Sequence, residues 1–200
     1  MKTILTNSLL VISLGLFAGE GYKVGDKARD FKLKNVDGKY VGLSDFPNAK
    51  GFVVVFTCNN CPYAKAYQDR LISLDKKFKS KGYPVIAINP NDPEVEPADS
   101  YEAMVIRARE KGYTFPYLYD EKHEVYKTFG ATNTPHVYIL QKDSNGDLVV
   151  KYVGTIDDNY QDASAVKQPY IENAINALLG NKEPNPATTK AIGCRVKAKV

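Results

Sequence analysis

Tryptophan is absent from this 200-residue chain, so aromatic packing falls to 14 tyrosines and 8 phenylalanines. Cysteine is scarce: three residues are too few for a disulfide scaffold, and the odd count leaves at least one thiol unpaired in a monomer. A second CxxC and a paired-histidine motif are both missing, which argues against a four-ligand structural zinc site. The 27 basic and 23 acidic residues are mixed along the chain, giving a net charge of +4 with no basic run that could serve as a polyanion footprint. Nucleic acid is therefore not an expected partner. No apolar stretch reaches the ~20 residues of a membrane span, and no internal repeat is present. What remains is 44% hydrophobic and 25% charged, the balance of an ordinary soluble domain with one substantial core.

The first residues, MKTILTNSLLVISLGLFAGEG, place one lysine ahead of an apolar stretch from Leu9 to Phe17 that ends in Ala18 and Gly19. This reads as a secretory signal over residues 1–18, with cleavage near Ala18, so the mature chain is expected to be periplasmic or secreted and to keep no membrane anchor. Export would place it where disulfides persist.

Two short alternating runs around Asp37-Gly38 predict a β-hairpin opening the domain. GFVVVF (51–56) is a continuous run of the kind buried on both faces of a sheet, and YPVIAI (83–88) is a second. Between them Tyr67, Leu71, Leu74 and Phe78 recur at helical spacing, giving a βαβ unit with a right-handed crossover. Three prolines make 89–100 a loop, and Asp99 with Glu102 reads as a capping box for a helix through Lys111. FPYLYD predicts a strand, and Glu121–Phe129 a short helix. TPHVYIL and LVVKYVG flank an Asn145-Gly146 turn, and Ile171, Ala174, Ile175 and Leu178 mark a last helix ending at Gly180. Residues 22–180 are thus one α/β domain, and 181–200 a polar tail that packs back on it. In such a sheet, chemistry collects at the carboxyl ends of the central strands.

There lies FTCNNCPYAK (56–65). Two cysteines three apart at a helix mouth can close a small disulfide ring, and the helix N-terminus would lower the pKa of Cys58. Because the thiolate attacks a disulfide, Cys58 is the candidate nucleophile and Cys61 the resolving partner. Pro62 fits the first helical turn, and Asn59 or Asn60 could cap it.

The strings CNNCPY, AINPND, FPYLYDE, TPHVYIL and GCRVK resemble the bacterial redoxin group related to alkyl hydroperoxide reductase and thiol-specific antioxidant proteins. The resemblance implies a thioredoxin-like fold over about Tyr22 to Gly180, a mixed sheet flanked by helices with an N-terminal hairpin extension. It implies a cis Pro135 facing the cysteines, with Thr134 offering backbone hydrogen bonds to a bound substrate strand and Asn59 and Asn60 nearby. Phe52 stands where many thioredoxins have a buried aspartate, and Thr57 where a tryptophan commonly precedes the nucleophile. Val55 and Gly51 replace the Thr or Ser and the Pro that peroxiredoxins need, which speaks against peroxide reduction by that mechanism.

The expectation is an exported, monomeric thiol-disulfide oxidoreductase whose redox-active disulfide, Cys58–Cys61, takes the place of a cofactor. Its partners would be protein thiols and disulfides and a further redox protein that recharges the couple. Two alternatives stand beside it: a copper(I) chaperone using Cys58, Cys61 and His136, since thiolates and imidazole suit that soft ion, and a non-enzymatic redoxin-like binding protein. Cys194 could be an inert buried thiol, a mixed-disulfide partner for another protein, or a third redox thiol.

Overall fold

A computed structural model describes residues 21–199. The signal sequence and its cleavage near Ala18 lie outside the described residues. In chain order the elements are β1 (Lys27–Ala28), β2 (Lys32–Asn35), β3 (Tyr40–Gly42), β4 (Gly51–Phe56), α1 (Pro62–Phe78), β5 (Val85–Asn89), α2 (Tyr101–Lys111), β6 (Tyr117–Tyr119), α3 (Val125–Phe129), β7 (Asn133–Thr134), β8 (His136–Lys142), β9 (Leu148–Gly154), α4 (Tyr170–Leu179) and β10 (Cys194–Arg195). Eight strands form one sheet in the order β1-β9-β8-β4-β5-β6-β2-β3, while β10 pairs with β7 apart from it.

The sheet is mixed because two kinds of connection built it. Helical crossovers make β4, β5 and β6 parallel neighbours, whereas the Asn145-Gly146 turn makes β8 and β9 antiparallel and β8 runs antiparallel to β4. All six residues of β4 are buried. Strand alternation sends Val53 and Val55 to the face covered by α1, α2 and α4, and Phe52, Val54 and Phe56 to the face covered by α3 and the 43–49 segment. Tyr67, Leu71, Leu74 and Phe78 of α1 are all buried on the first face, at the helical spacing read from the sequence. Each fully buried side chain of this size contributes about 1.5–3 kcal/mol, so a central strand without a solvent face is the most constrained part of the fold.

Three elements differ from the sequence expectation. The hairpin β2–β3 forms, but β1 precedes it and pairs with β9 at the opposite edge. The helix expected from Glu121 starts at Val125, because the Asp120 carboxylate collects the N–H groups of Glu124, Val125 and Tyr126 and the chain before them must turn to bring it there. The capping box at Asp99 is replaced by Ser100, whose Oγ accepts the Ala103 N–H, since Asp99 is used elsewhere. Among the described residues, no helix is long and apolar enough to cross a membrane.

Candidate active site

Strand β4 delivers the cysteine pair to its carboxyl end, where the Thr57 N–H still bonds to Ile88 O of β5 at 2.8 Å. The chain then turns through Asn59 and Asn60, and α1 starts at Pro62 with Cys61 as its extended N-cap residue. Proline suits that place, since the first N–H groups of a helix have no partner within it. Neither asparagine caps α1, contrary to expectation. The turn is held instead by Asp99 on the following loop, whose Oδ1 accepts the backbone N–H of Asn59 at 2.6 Å and of Asn60 at 3.1 Å, while its Oδ2 accepts from Asn91 Nδ2 at 2.6 Å. Asp99 is fully buried. Sequence reasoning assigned it to α2; the signal that could have found it was an acidic residue in a loop that runs off the neighbouring parallel strand at the same sheet edge.

The Asn59 side chain points inward: its Nδ2 donates to Ala98 O, its Oδ1 accepts from Tyr117 OH, and the residue is buried. In this arrangement the Asn59 side chain ties the cysteine turn to the 97–99 segment and to β6. Asn60 is exposed, accepts from Lys65 Nζ at 2.9 Å and donates to Glu96 at 3.3 Å.

Thr134 faces both sulfurs. Its Oγ1 lies 3.2 Å from Cys58 Sγ, and its carbonyl oxygen lies 3.1 Å from Cys61 Sγ. The peptide bond from Thr134 to Pro135 is cis, as is that from Asn185 to Pro186. The Thr134 backbone edge, anticipated as a seat for a substrate strand, is taken by β10 of the same chain: Cys194 stands opposite Thr134 and Arg195 opposite Asn133.

The cysteine pairing also differs from the expected Cys58–Cys61 couple. Cys61 is bonded to Cys194, with Cα atoms 6.0 Å apart across 133 residues of sequence, and Cys58 is a free, buried thiol. Cys61 therefore has no proton to donate in this state, and its approach to Thr134 O marks where its S–H would sit once reduced. Contrary to the helix-dipole argument, Cys58 is not a low-pKa thiol here: burial, reinforced by the Asp99 carboxylate, pushes it up to about 11. The Thr134 hydroxyl and the N–H groups of Cys61 and Asn60 pull the other way without prevailing. The N–H groups at the helix mouth still favour the thiolate, but at 3% exposure the loss of hydration outweighs them.

His136 opens β8 opposite Phe56, is buried against Tyr138, and its Nδ1 accepts the Thr132 N–H at 3.3 Å. Burial lowers its pKa to about 4, so it is neutral. Among the described residues no three His, Cys, Asp or Glu side chains converge as metal ligands, and Cys58, Cys61 and His136 do not form the donor set that the copper alternative required.

Residues 24–152 match the AhpC/TSA family, more than half of the chain. The protein belongs to the AhpC/TSA family. It is 25% identical over 158 residues to the thiol-disulfide oxidoreductase ResA of Bacillus subtilis, covering 76% of this chain and 83% of that protein. A crystal structure of an uncharacterized conserved protein from Geobacillus kaustophilus superposes with a TM-score of 0.81 at 39% identity, over 88% of this chain and 93% of that one. A thiol:disulfide interchange protein of the thioredoxin family from Chlorobium tepidum shares the fold at 19% identity and a TM-score of 0.51, over 64% and 85% of the two chains. The mixed sheet with helices on both faces is a thioredoxin-like fold, and the redoxin resemblance drawn from the cysteine and proline motifs agrees with the family match.

Proposed function

We propose that this protein exchanges thiols and disulfides with protein substrates, with Cys58 as attacking thiol and Cys61 as resolving thiol. The enzyme class, thiol-disulfide oxidoreductase, follows from its relatives. The observation that carries the residue assignment is that one residue, Thr134, lies 3.2 Å from one cysteine sulfur and 3.1 Å from the other. Both sulfurs thereby meet at a single backbone edge able to pair with an extended chain. Main-chain pairing along such an edge supplies affinity for an extended chain that carries a cysteine. Peroxide reduction is not part of this reading, because Val55 and Gly51 stand where that chemistry needs a hydroxyl and a proline. The leader over residues 1–18 would carry the mature domain to the periplasm or the outside, where the disulfide seen here can persist.

The test is a redox titration of the mature protein in glutathione buffers, with alkylation trapping and peptide mapping of the three cysteines. A two-electron couple that involves Cys61 and lies between about −270 and −120 mV places it among exchange catalysts. No such couple, or one below about −300 mV, makes the cysteines a structural staple and ends the enzyme reading.

A further inference from the structure

We propose that Cys194 is a third exchanging thiol of this site and that the strand carrying it is an internal substrate, which takes Cys61 into a disulfide and closes the Asn133–Thr134 edge. The proposal rests on the exchange reading above and adds to it a residue that the two-cysteine scheme leaves idle.

Three independent features show that the tail is recognised and not merely adjacent. The first is backbone pairing: β10 runs antiparallel on β7, Val196 N–H bonds to Thr132 O at 3.0 Å, and Asn133 Nδ2 donates to Gly193 O at 2.9 Å. The second is shape. A Cβ at position 193 would lie 2.3 Å from Thr134 O and 2.9 Å from Pro135 N, both rigid backbone, so only glycine can precede Cys194 at this edge. The third is charge. Lys197 and Lys199 alternate along the tail and pair with Glu96 and Glu94, which alternate along the acidic loop, and Asn91 and Asp92 of that loop hold the Lys197 backbone at 2.9 and 2.7 Å. Gly-Cys followed by alternating basic residues is thus read by the same edge that faces both catalytic sulfurs.

The exchange balances as a relay. The Cys58 thiolate attacks a substrate disulfide, forming a mixed disulfide and releasing one substrate thiolate. The Cys61 thiolate then attacks Cys58 Sγ, forming Cys58–Cys61 and releasing the second substrate thiolate. Finally the Cys194 thiolate attacks Cys61 Sγ, forming Cys61–Cys194 and expelling Cys58 as a thiolate that takes up a proton. Two electrons pass to the substrate disulfide, which becomes two thiols, and the chain ends with one disulfide and one free thiol at Cys58. That is the pairing observed. With the tail docked, Cys58 is buried beside Cys194 and held protonated, so it returns to Cys61 only slowly. A reductant that opens Cys61–Cys194 frees the edge and restores the enzyme.

The experiment treats the fully reduced mature chain with oxidised glutathione, quenches with acid at intervals, alkylates and maps the disulfides. Cys58–Cys61 appears first and is replaced by Cys61–Cys194, which excess reduced glutathione reopens; in Cys194→Ser the reaction stops at Cys58–Cys61. The double variant Lys197→Glu, Lys199→Glu leaves every cysteine in place and shifts the final ratio toward Cys58–Cys61 by at least about threefold, as one exposed and one half-buried ion pair allow, and adding Glu94→Lys and Glu96→Lys restores it. Accumulation of Cys58–Cys61 while Cys194 stays alkylatable overturns this inference and leaves the exchange reading standing. A Cys61–Cys194 disulfide that excess reduced glutathione never opens overturns it as well, making the tail a static staple. Failure of any cysteine pair to form overturns both readings.

Discussion

Asp99 accepts the backbone N–H of Asn59 at 2.6 Å, so the turn between the two cysteines that precede α1 is fixed by a carboxylate 40 residues further along the chain. The same negative charge, second only to burial, holds the Cys58 thiol above its ordinary value. Asp99→Asn keeps an oxygen for the two N–H groups and removes the charge, so Cys58 should titrate below about 11. The pH dependence of iodoacetamide alkylation reads this directly. Because the new amide would face Asn91 Nδ2, which now donates to Asp99 Oδ2, the variant should also lose about 1–3 kcal/mol in urea unfolding. An alkylation midpoint that does not move would contradict the electrostatic role.

Thr134 offers a sharper separation of roles. Thr134→Val keeps the volume of a fully buried side chain but removes the hydroxyl that helps Cys58 ionise. A hydrogen bond of this kind contributes about 1 kcal/mol, so exchange with oxidised glutathione should slow by roughly fivefold. Thr134→Ser, which retains the oxygen, should exchange at close to the normal rate. Equal slowing in both variants would point to lost packing instead of a lost hydrogen bond.

Acid sensitivity should come in part from His136. Its folded pKa of about 4 lies below the ordinary 6.5, so the folded state resists the proton that the unfolded chain accepts. The stability gained from keeping it neutral is complete above pH 6.5 and is lost as pH falls toward 4, by about 3 kcal/mol. His136→Gln cannot titrate, and the difference in unfolding free energy between it and the parent should shrink steadily from pH 7 to pH 4.5. A constant difference across that range would place the titration elsewhere.

The fold was legible because its strongest constraints are local. GFVVVF has no polar position to expose, the Tyr67 to Phe78 stripe has helical period, and Asn145-Gly146 permits few conformations besides a tight turn. Strand order likewise placed the cysteine pair at one sheet edge, and the family resemblance brought Thr134 and Pro135 to face it. Three features of the site could not be read in this way. Asp99 reads as a helix cap because side chains of its kind usually bond nearby backbone, and only the parallel pairing of β4 with β5 brings it to Asn59. The state of Cys58 depends on what covers it, and the helix-terminus argument assumed an open mouth. The partner of Cys61 is 133 residues away on a two-residue strand with no periodicity to announce it. Long-range closure of a polar tail leaves its mark in the GCRVK string through the glycine, whose purpose appears when Thr134 O is found against it, and through Lys197, whose partner Glu96 lies 101 residues earlier.

That glycine supports a last prediction. Gly193→Ala adds one methyl group where Thr134 O and Pro135 N leave no room, and neither is the end of a flexible side chain that could swing away. The tail should therefore leave β7 while the sheet stays intact, because β10 is only half-buried or exposed and lies outside the eight-stranded sheet. Unfolding of the reduced protein in urea should change by less than about 1 kcal/mol, as for peripheral substitutions. In the same protein oxidised with glutathione, the disulfide should move from Cys61–Cys194 toward Cys58–Cys61, and Cys194 should become open to alkylation. Unchanged disulfide mapping in Gly193→Ala would mean that the sulfurs find each other without the backbone pairing, and that the edge at Thr134 does not select its occupant by shape.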